Sequence, residues 1–514
     1  MMKSASSLFT RKIRSACRGV LTPITYAQVY EKYAGSKRRT YEQAHDWLLH
    51  NGSPTKRHAR VSSFVKAEKS YSDPKSPRII QARDPVYNLE IGTFLKPIEH
   101  AIYSLKGFKF FARPGKGKRG KRVEMNSGSP GESCSRGFTY TRIVAKGMND
   151  RERAKTIRAK MLQFKNCVVL SLDCTKFDAH VAHAILKRVE HAAYLSLIPD
   201  SNFASLLAQQ LNNKGTTAGG VRYQSLGGRM SGDVNTACGN VFLMLCMIIA
   251  YCRGIGIVFD ILDDGDDCLL FIEANDEAKV RNTIESTFLE FGMELKLENR
   301  AEDFQDVVFC RSKAIYREIP GDMGVSGEWV MCRDWRHVLK QSLSSHRHYD
   351  QPTVGMGVAR SVGLALCSMY AGVPVLQSFG RAIVRLTEGT IARQFDHKSG
   401  LGYRHYLETG SWMPVQSELV AISPLVRSLF ERTWGLPSDE QLVLEAMFDA
   451  LTKADLHFQL DDQGEEVFLM EDGKVLDFSQ GHSEPRLFNW ERVNPGRRGG
   501  VIDDPSTSTA YQAN

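Results

Sequence analysis

The stretch Ile257-Val-Phe-Asp-Ile-Leu262, Asp263-Asp-Gly-Asp-Asp267, Cys268-Leu-Leu-Phe-Ile272 decides how the rest of the chain is read. Two apolar, β-prone runs flank an acidic turn built on Asp-Gly, a strong short-range hairpin signal. The apolar flanks predict a buried hairpin, and its tip carries four carboxylates within five residues. Like charges that close raise one another's pKa unless a cation neutralises them. A buried hairpin presenting them is a candidate seat for a hard divalent ion, Mg²⁺ or Mn²⁺. The pentapeptide alone reads equally well as a solvated acidic turn. Its partners elsewhere in the chain decide between the two.

Upstream, Cys167-Val-Val-Leu-Ser-Leu-Asp173 reads as a buried strand ending in an acid, and Asp178 follows five residues later. A strand ending beside the hairpin tip in one sheet would bring Asp173 near Asp266 and Asp267. Three carboxylates can hold two metal ions about 4 Å apart, an arrangement that clamps attacking and leaving oxygens in phosphoryl displacement. Taken singly, Asp173 is an ordinary strand-end acid and Asp178 a helix N-cap. Between these elements runs Gly227-Gly-Arg-Met-Ser-Gly-Asp-Val-Asn-Thr-Ala-Cys-Gly-Asn240. Its glycines allow close approach to a ligand. Ser231, Thr236 and Asn240 fall at helix-entry positions, the last two four apart on one helical face. Hydroxyl and amide groups there can hydrogen-bond a ribose 2′-OH, the group that separates RNA from DNA precursors.

The length of 514 residues suggests about three domains. Apolar content of 42% and charged content of 24% fit a globular chain with a sizeable core. The net charge of +9 is concentrated: residues 1–30 hold Lys3, Arg11, Lys12, Arg14 and Arg18 without an acid, and residues 111–122 hold six bases without an acid. Such segments favour polyanions, either nucleic acid or an anionic membrane, or form solvated loops. The first twenty residues read as a basic extension or a transit peptide. The eleven cysteines include no Cys-x-x-Cys, and several lie in apolar runs, as in a reducing compartment without a disulfide framework. Cys332, His337, His346 and His348 match no common zinc spacing. The longest apolar run, Val241 to Cys252, is too short to span a bilayer and predicts a buried core helix.

Helical spacing over Val181–Leu197, a long helical pattern near 233–253 and a helix near 276–291 punctuate the strands. A further apolar run, Asp306-Val-Val-Phe-Cys310, reads as another strand. The expected order is strand, helix, helix, strand-turn-strand, helix, strand, an α/β (α+β) arrangement with an antiparallel-rich sheet and helices on one face. Residues from about 320 to 480 read as mostly helical, and the tail from Arg486 to Asn514 has a disordered composition.

In their order and spacing, Asp-x4-Asp, Ser-Gly-x3-Thr-x3-Asn and Gly-Asp-Asp resemble motifs A, B and C of the RNA-dependent RNA polymerases of positive-strand RNA viruses. Further segments are similar to the tombusvirus and carmovirus-like group. Phe64-Val-Lys-Ala-Glu-Lys69, Pro77-Arg-Ile-Ile-Gln-Ala-Arg83 and Tyr87-Asn-Leu-Glu90 resemble its motif F, and Lys146-Gly-Met-Asn149 its Lys-Gly-Leu-Asn element. Tyr33 to Tyr41 resembles a fingers segment, Phe309-Cys-Arg-Ser312 motif E and Val373-Pro-Val-Leu-Gln377 a thumb segment. The resemblance covers about residues 30–380.

The resemblance implies a right-hand polymerase with fingers, palm and a mostly helical thumb. Its expected bounds are an N-terminal extension and fingers over 1–166, and a palm over 167–320 with a fingers insertion at about 195–226. A thumb over 321–485 and a tail over 486–514 follow. It implies catalytic, metal-binding carboxylates at Asp173, Asp266 and Asp267, with Asp267 auxiliary, and two Mg²⁺ ions, Mn²⁺ being an alternative. Asp178, Ser231, Thr236 and Asn240 would sense the ribose. Lys66, Lys69, Arg78 and Arg83 would contact the triphosphate, which needs positive donors that Arg can supply in pairs. Lys296, with Arg300 as an alternative, would be the general acid. Implied partners are RNA template, nascent RNA and ribonucleoside triphosphates, with a viral membrane-anchoring protein bringing the chain to host membranes in the cytoplasm. The rival readings are a reverse transcriptase and a non-catalytic RNA-binding replication factor. Asp263 and Asp264 depart from the polar or amide residues usual before the Gly-Asp-Asp motif.

Overall fold

The computed structural model describes residues 1–17, 19–66, 78–107, 141–321, 324–343, 352–395, 399–415, 418–453 and four short strands between 457 and 489. Two compact units divide the chain, the first built mainly from Met1–Arg317 and the second mainly from Asp334–Phe395 and Ser399 onward.

The first unit begins with helices α1 (Met2–Ala16), α2 (Tyr26–Tyr30) and α3 (Gly35–Asn51), strands β1 (Val61–Val65) and β2 (Ile79–Arg83), and helices α4 (Pro85–Tyr103) and α5 (Asp150–Met161). Strand β3 (Cys167–Cys174) follows, then short helices α6 (Phe177–His180) and α7 (His183–Ile185), a π-helical turn at Leu186–His191, α8 (Ala192–Leu197) and α9 (Ser201–Ala208). Next come the β4–β5 pair (Asn212–Thr217, Arg222–Leu226), α10 (Thr236–Ile255), the β6–β7 hairpin (Phe259–Asp263, Cys268–Glu273), α11 (Glu277–Glu290) and β8 (Leu295–Ala301).

One four-stranded sheet has the order β6-β7-β3-β8, every neighbour antiparallel. Its strands alternate between two cores. Val168, Leu170, Leu172, Ile261, Leu270 and Ile272 join the core that contains α10 and α11. Val169, Leu262, Leu269 and Phe271 face a second core with Ile157 of α5 and Met331. Both faces are therefore covered, which corrects the expectation of helices on one face. It also explains why these strands read as continuous apolar runs rather than as alternating ones.

The last strand of this sheet is β8, not the apolar run 306–310. That run enters a tight turn in which Cys310 and Arg311 both have positive φ, 51° and 58°, and Phe309 and Ser312 exchange backbone hydrogen bonds. Two left-handed residues in succession are the backbone of a hairpin turn. The turn opens a hairpin of β9 (Ser312–Gly321) and β10 (Gly324–Arg333), which the mostly helical reading beyond 320 did not anticipate.

A second sheet has the order β2-β1-β4-β5 and includes β1 and β2, the strands within the segments that resemble motif F. Helix α1 is not an appendage: Phe9 and Ile13 are buried in the main core. Helix α10 is longer than the twelve-residue apolar run and is apolar enough to cross a membrane by length and composition. It is 83% buried inside the protein, as a core helix is. Among the described residues all cysteines are free.

The second unit is helical over its described core: α12 (Trp335–Ser342), α13 (Pro352–Met369), α14 (Leu376–Leu386), α15 (Gly400–Thr409), α16 (Pro424–Trp434) and α17 (Ser438–Ala450). Val375, in the segment read as a thumb element, has φ +66° ahead of α14, and its N–H donates to Glu445 Oε1.

Candidate active site

Strand pairing brings the acids of two distant segments together. The last matched residues of β3 and β7 are Leu172 and Cys268, so Asp173 and Asp267 stand one step further out at the same end of the sheet. The hairpin closes with Asp264 N–H donating to Asp267 O at 2.8 Å, leaving Gly265 and Asp266 at the tip. Gly265 takes φ +105°, a value that a side chain would resist. Asp266 is exposed, while Asp173 and Asp267 are half-buried.

Electrostatics records the same convergence. Burial, then the charges of Glu298 and Asp266, push the Asp173 carboxyl above its usual range. Burial, then Asp266, Asp264 and Asp173, do the same to Asp267. Among the described residues no hydrogen bond or ion pair occupies these three carboxylates, and they do not close into a ready-made metal cage. The donor set nevertheless fits a hard divalent cation. Mg²⁺ commonly takes one or two carboxylates and completes its shell with water and substrate phosphate.

The other two acids of the hairpin have different work. Asp264 lies between Lys146 Nζ, 2.7 Å from Oδ1, and Arg153 Nη2, 2.6 Å from Oδ2. Cys310 Sγ donates to the same Oδ2 at 3.3 Å. Burial pushes this carboxyl up, but Lys146 and Arg153 pull it net below the usual range. Asp263 is fully buried, and burial, then the charge of Asp264, pushes its carboxyl well above the usual range. Asp264 therefore ties the hairpin to the start of α5 and to the Cys310 turn. Sequence reasoning missed this role, although the bases of Lys146-Gly-Met-Asn and of Arg153 were visible.

The glycine-rich loop and α10 supply a polar set. Asn240 Nδ2 donates to Asp178 Oδ1 at 2.8 Å, joining two residues 62 positions apart. Ser231 Oγ lies against β2, accepting from Gln81 N–H at 3.1 Å and donating to Ile79 O at 3.2 Å. Thr236 Oγ1 donates to Met230 O at 2.8 Å and so braces the loop at the start of α10.

Of the expected triphosphate contacts, Lys66 and Arg78 stand opposite each other just beyond the Val65–Ile79 end of the β1–β2 pair, where Lys66 N–H donates to Arg78 O at 2.8 Å. Lys69 lies outside the described residues. Arg83 is a correction: its side chain has no exposure, and its guanidinium grips Asp233, Asn213 Oδ1 and Ala59 O. A guanidinium committed inside the protein cannot face a triphosphate. Its visible function is to pin β2 to the loop before α10.

Lys296 is the cross-strand partner of Asp173, with its side chain 60% exposed. Arg300, the alternative, is bound to Glu277 and Glu302.

The chain belongs to the viral RNA-dependent RNA polymerase family, whose profile matches residues 2–454. It is similar to the RNA-directed RNA polymerase of Tobacco necrosis virus (strain A), 30% identical over 439 residues, 83% of this chain and 54% of that protein. The RNA-directed RNA polymerase of Turnip crinkle virus is 31% identical over 458 residues, 87% of this chain and 52% of the relative. That of Melon necrotic spot virus is 31% identical over 460 residues, 86% and 52% respectively. The chain spans about half the length of the curated relatives it matches.

Proposed function

We propose that the chain copies an RNA template by adding ribonucleotides to a growing 3′ end. The observation that carries this reading is the meeting of Asp173 with the Asp266–Asp267 tip at the end of two paired strands. Family membership and the Asp178–Asn240 hydrogen bond support it.

In the reaction the 3′-hydroxyl oxygen attacks the α-phosphorus of a bound nucleoside triphosphate. One P–O bond forms as the bond from that phosphorus to the oxygen bridging to the β-phosphate breaks. The hydroxyl proton is lost and pyrophosphate departs. Asp173 and Asp266 serve as principal metal ligands, with Asp267 auxiliary. Two Mg²⁺ ions, or Mn²⁺ in their place, when bound lower the pKa of the 3′-hydroxyl and neutralise charge on the phosphate. Lys66, Lys69 and Arg78 hold the triphosphate by charge and hydrogen bonding. Asp178, Ser231, Thr236 and Asn240 read the sugar, with Ser231 and Thr236 also bracing the loop. Lys296, across from Asp173, returns a proton to the pyrophosphate.

The division into fingers, palm and thumb, with a palm over about 167–320, belongs to the same reading. So do its partners: RNA template and product, ribonucleoside triphosphates, and a viral membrane-anchoring protein that holds the chain at host cytoplasmic membranes. A reverse transcriptase is disfavoured by the Asp178–Asn240 pair, which suits a 2′-hydroxyl rather than an aromatic gate.

The test is incorporation of labelled ribonucleotides by the purified chain on a defined RNA template, primed and unprimed, with Mg²⁺. Template-length product that disappears in Asp266→Ala is the expected result. Unchanged synthesis by Asp266→Ala would show the catalytic assignment to be wrong, and equal use of deoxynucleotides the sugar assignment.

A further inference from the structure

The amide that meets Asp178 is itself held from behind. Asn240 Nδ2 donates to Asp178 Oδ1 at 2.8 Å, and Asn240 Oδ1 accepts from Arg229 Nε at 2.8 Å. Both ends of the amide are committed, so its orientation is determined. Arg229 in turn grips Glu190 with both terminal nitrogens, Nη1 to Oε1 at 3.0 Å and Nη2 to Oε2. The two side chains are 2% and 0% exposed. Asn235 Nδ2 donates to the same carboxylate at 2.9 Å, and Gln210 Nε2 holds Asn235 Oδ1 at 3.0 Å.

The backbone is shaped to receive this pair. The guanidinium lies against α10 at Gly239, where an added Cβ would fall 2.5–2.6 Å from its atoms. Glu190 comes from the π-helical turn Leu186–His191, a distortion found disproportionately at functional sites.

We propose that the Glu190–Arg229 pair sets sugar specificity by holding the Asn240 amide with its NH₂ toward Asp178. This rests on the ribose reading given above. A carboxamide has a donor end and an acceptor end of similar shape, and a flipped Asn240 would set its oxygen against the Asp178 carboxylate. Arg229 Nε only donates, so it requires the amide oxygen as its acceptor and forbids the flip. Asp178 then has one oxygen bound by Asn240 and the other, without a partner among the described residues, open to accept from a 2′-hydroxyl. A buried ion pair adds little net stability, because desolvation offsets most of its Coulomb attraction. Orientation is the contribution left to it. Neither residue touches the nucleotide, so both are positioning residues.

The experiment compares kcat and KM for a ribonucleotide and its deoxy analogue on one RNA template. The proteins are the unaltered chain, the double variant Glu190→Gln/Arg229→Met, Asp178→Ala and Asn240→Ala, each with a thermal melt. Replacing both partners leaves no unpaired buried charge, so the double variant is expected to fold. Its ribose-to-deoxyribose ratio should fall about tenfold, the scale of one hydrogen bond, through a higher ribonucleotide KM with deoxynucleotide use unchanged. Arg229→Lys, which lacks the planar fork, should recover only part of the ratio. A folded double variant with the original ratio would overturn the proposal, provided that Asp178→Ala and Asn240→Ala do change it. If those two leave the ratio intact, the ribose reading fails instead. Should the double variant not fold, Gly239→Ala, which crowds the guanidinium and leaves both charges in place, is read by the same criteria.

Discussion

Arg83 and Asp233 form a buried two-point ion pair, Nε to Oδ1 at 2.7 Å and Nη2 to Oδ2 at 3.3 Å, with side chains 0% and 5% exposed. The pair joins the end of β2 to the loop that precedes α10. It is reinforced where Gly232 N–H donates to Gln81 O at 2.9 Å and where Ser231 bonds β2. A strand from one part of the sequence thus holds the loop that carries the polar, sugar-facing residues of the proposed site.

Arg83→Met should therefore act through folding. Removing one partner of a buried pair strands the other charge and costs about 3–5 kcal/mol. Denaturant unfolding should show that loss. Lys66→Ala should change stability by less than about 1 kcal/mol and raise the nucleotide KM instead. An Arg83→Met protein that unfolds like the parent but binds nucleotide poorly would return Arg83 to the triphosphate.

The clustered acids at the hairpin tip should be a stability liability that metal relieves. Asp173 and Asp267 have folded-state pKa values raised above the ordinary 3.8, by burial and by neighbouring charge. An acid of that kind destabilises the fold as pH rises through the window between the ordinary value and the raised one. In chelator near neutral pH, Asp267→Asn should melt above the parent, and the gap should shrink as pH falls below the carboxylate range. Mg²⁺ should raise the parent's melting temperature more than the variant's, because only the parent keeps the full ligand set. A parent protein indifferent to Mg²⁺ in this assay would count against the metal assignment.

Asp264 should behave in the opposite sense. Lys146 and Arg153 depress its pKa despite burial, so it contributes stability above the ordinary carboxylate pKa that is lost as pH falls through the depressed one. Lys146→Met leaves Arg153 as its remaining cation partner and should destabilise the protein by about 1–3 kcal/mol near neutral pH. The difference should vanish in acid. Asp264→Asn added to Lys146→Met should cost less than the two single losses summed, since the two residues are coupled. Additive effects of the two substitutions would show that the ion pair is not what holds the hairpin.

The reading from sequence was strongest where chemistry and backbone pattern coincide. The hairpin, the preceding strand and the long helix after the glycine loop were legible because apolar runs and turn residues are local signals. The missed elements follow from the same logic. Strand β8, Leu-Lys-Leu-Glu-Asn-Arg-Ala, is charged and sits at the sheet edge, so it lacks an apolar signature. The run 306–310 has that signature but leads into two successive left-handed residues, Cys310 and Arg311, which residue type does not announce.

The sequence by itself determined the family and the candidate acids, because order and spacing along a chain are one-dimensional facts. Tertiary structure alone decided which bases are available and which are spent. Arg83 read as a triphosphate contact, while Lys146, Arg153 and Arg229 were visible as bases with no partner assigned. Each instead faces a carboxylate at least 39 residues away in the chain: Asp233, Asp264, Asp264 and Glu190. A buried charge must find a countercharge, and the fold, not the local sequence, determines which one lies within reach.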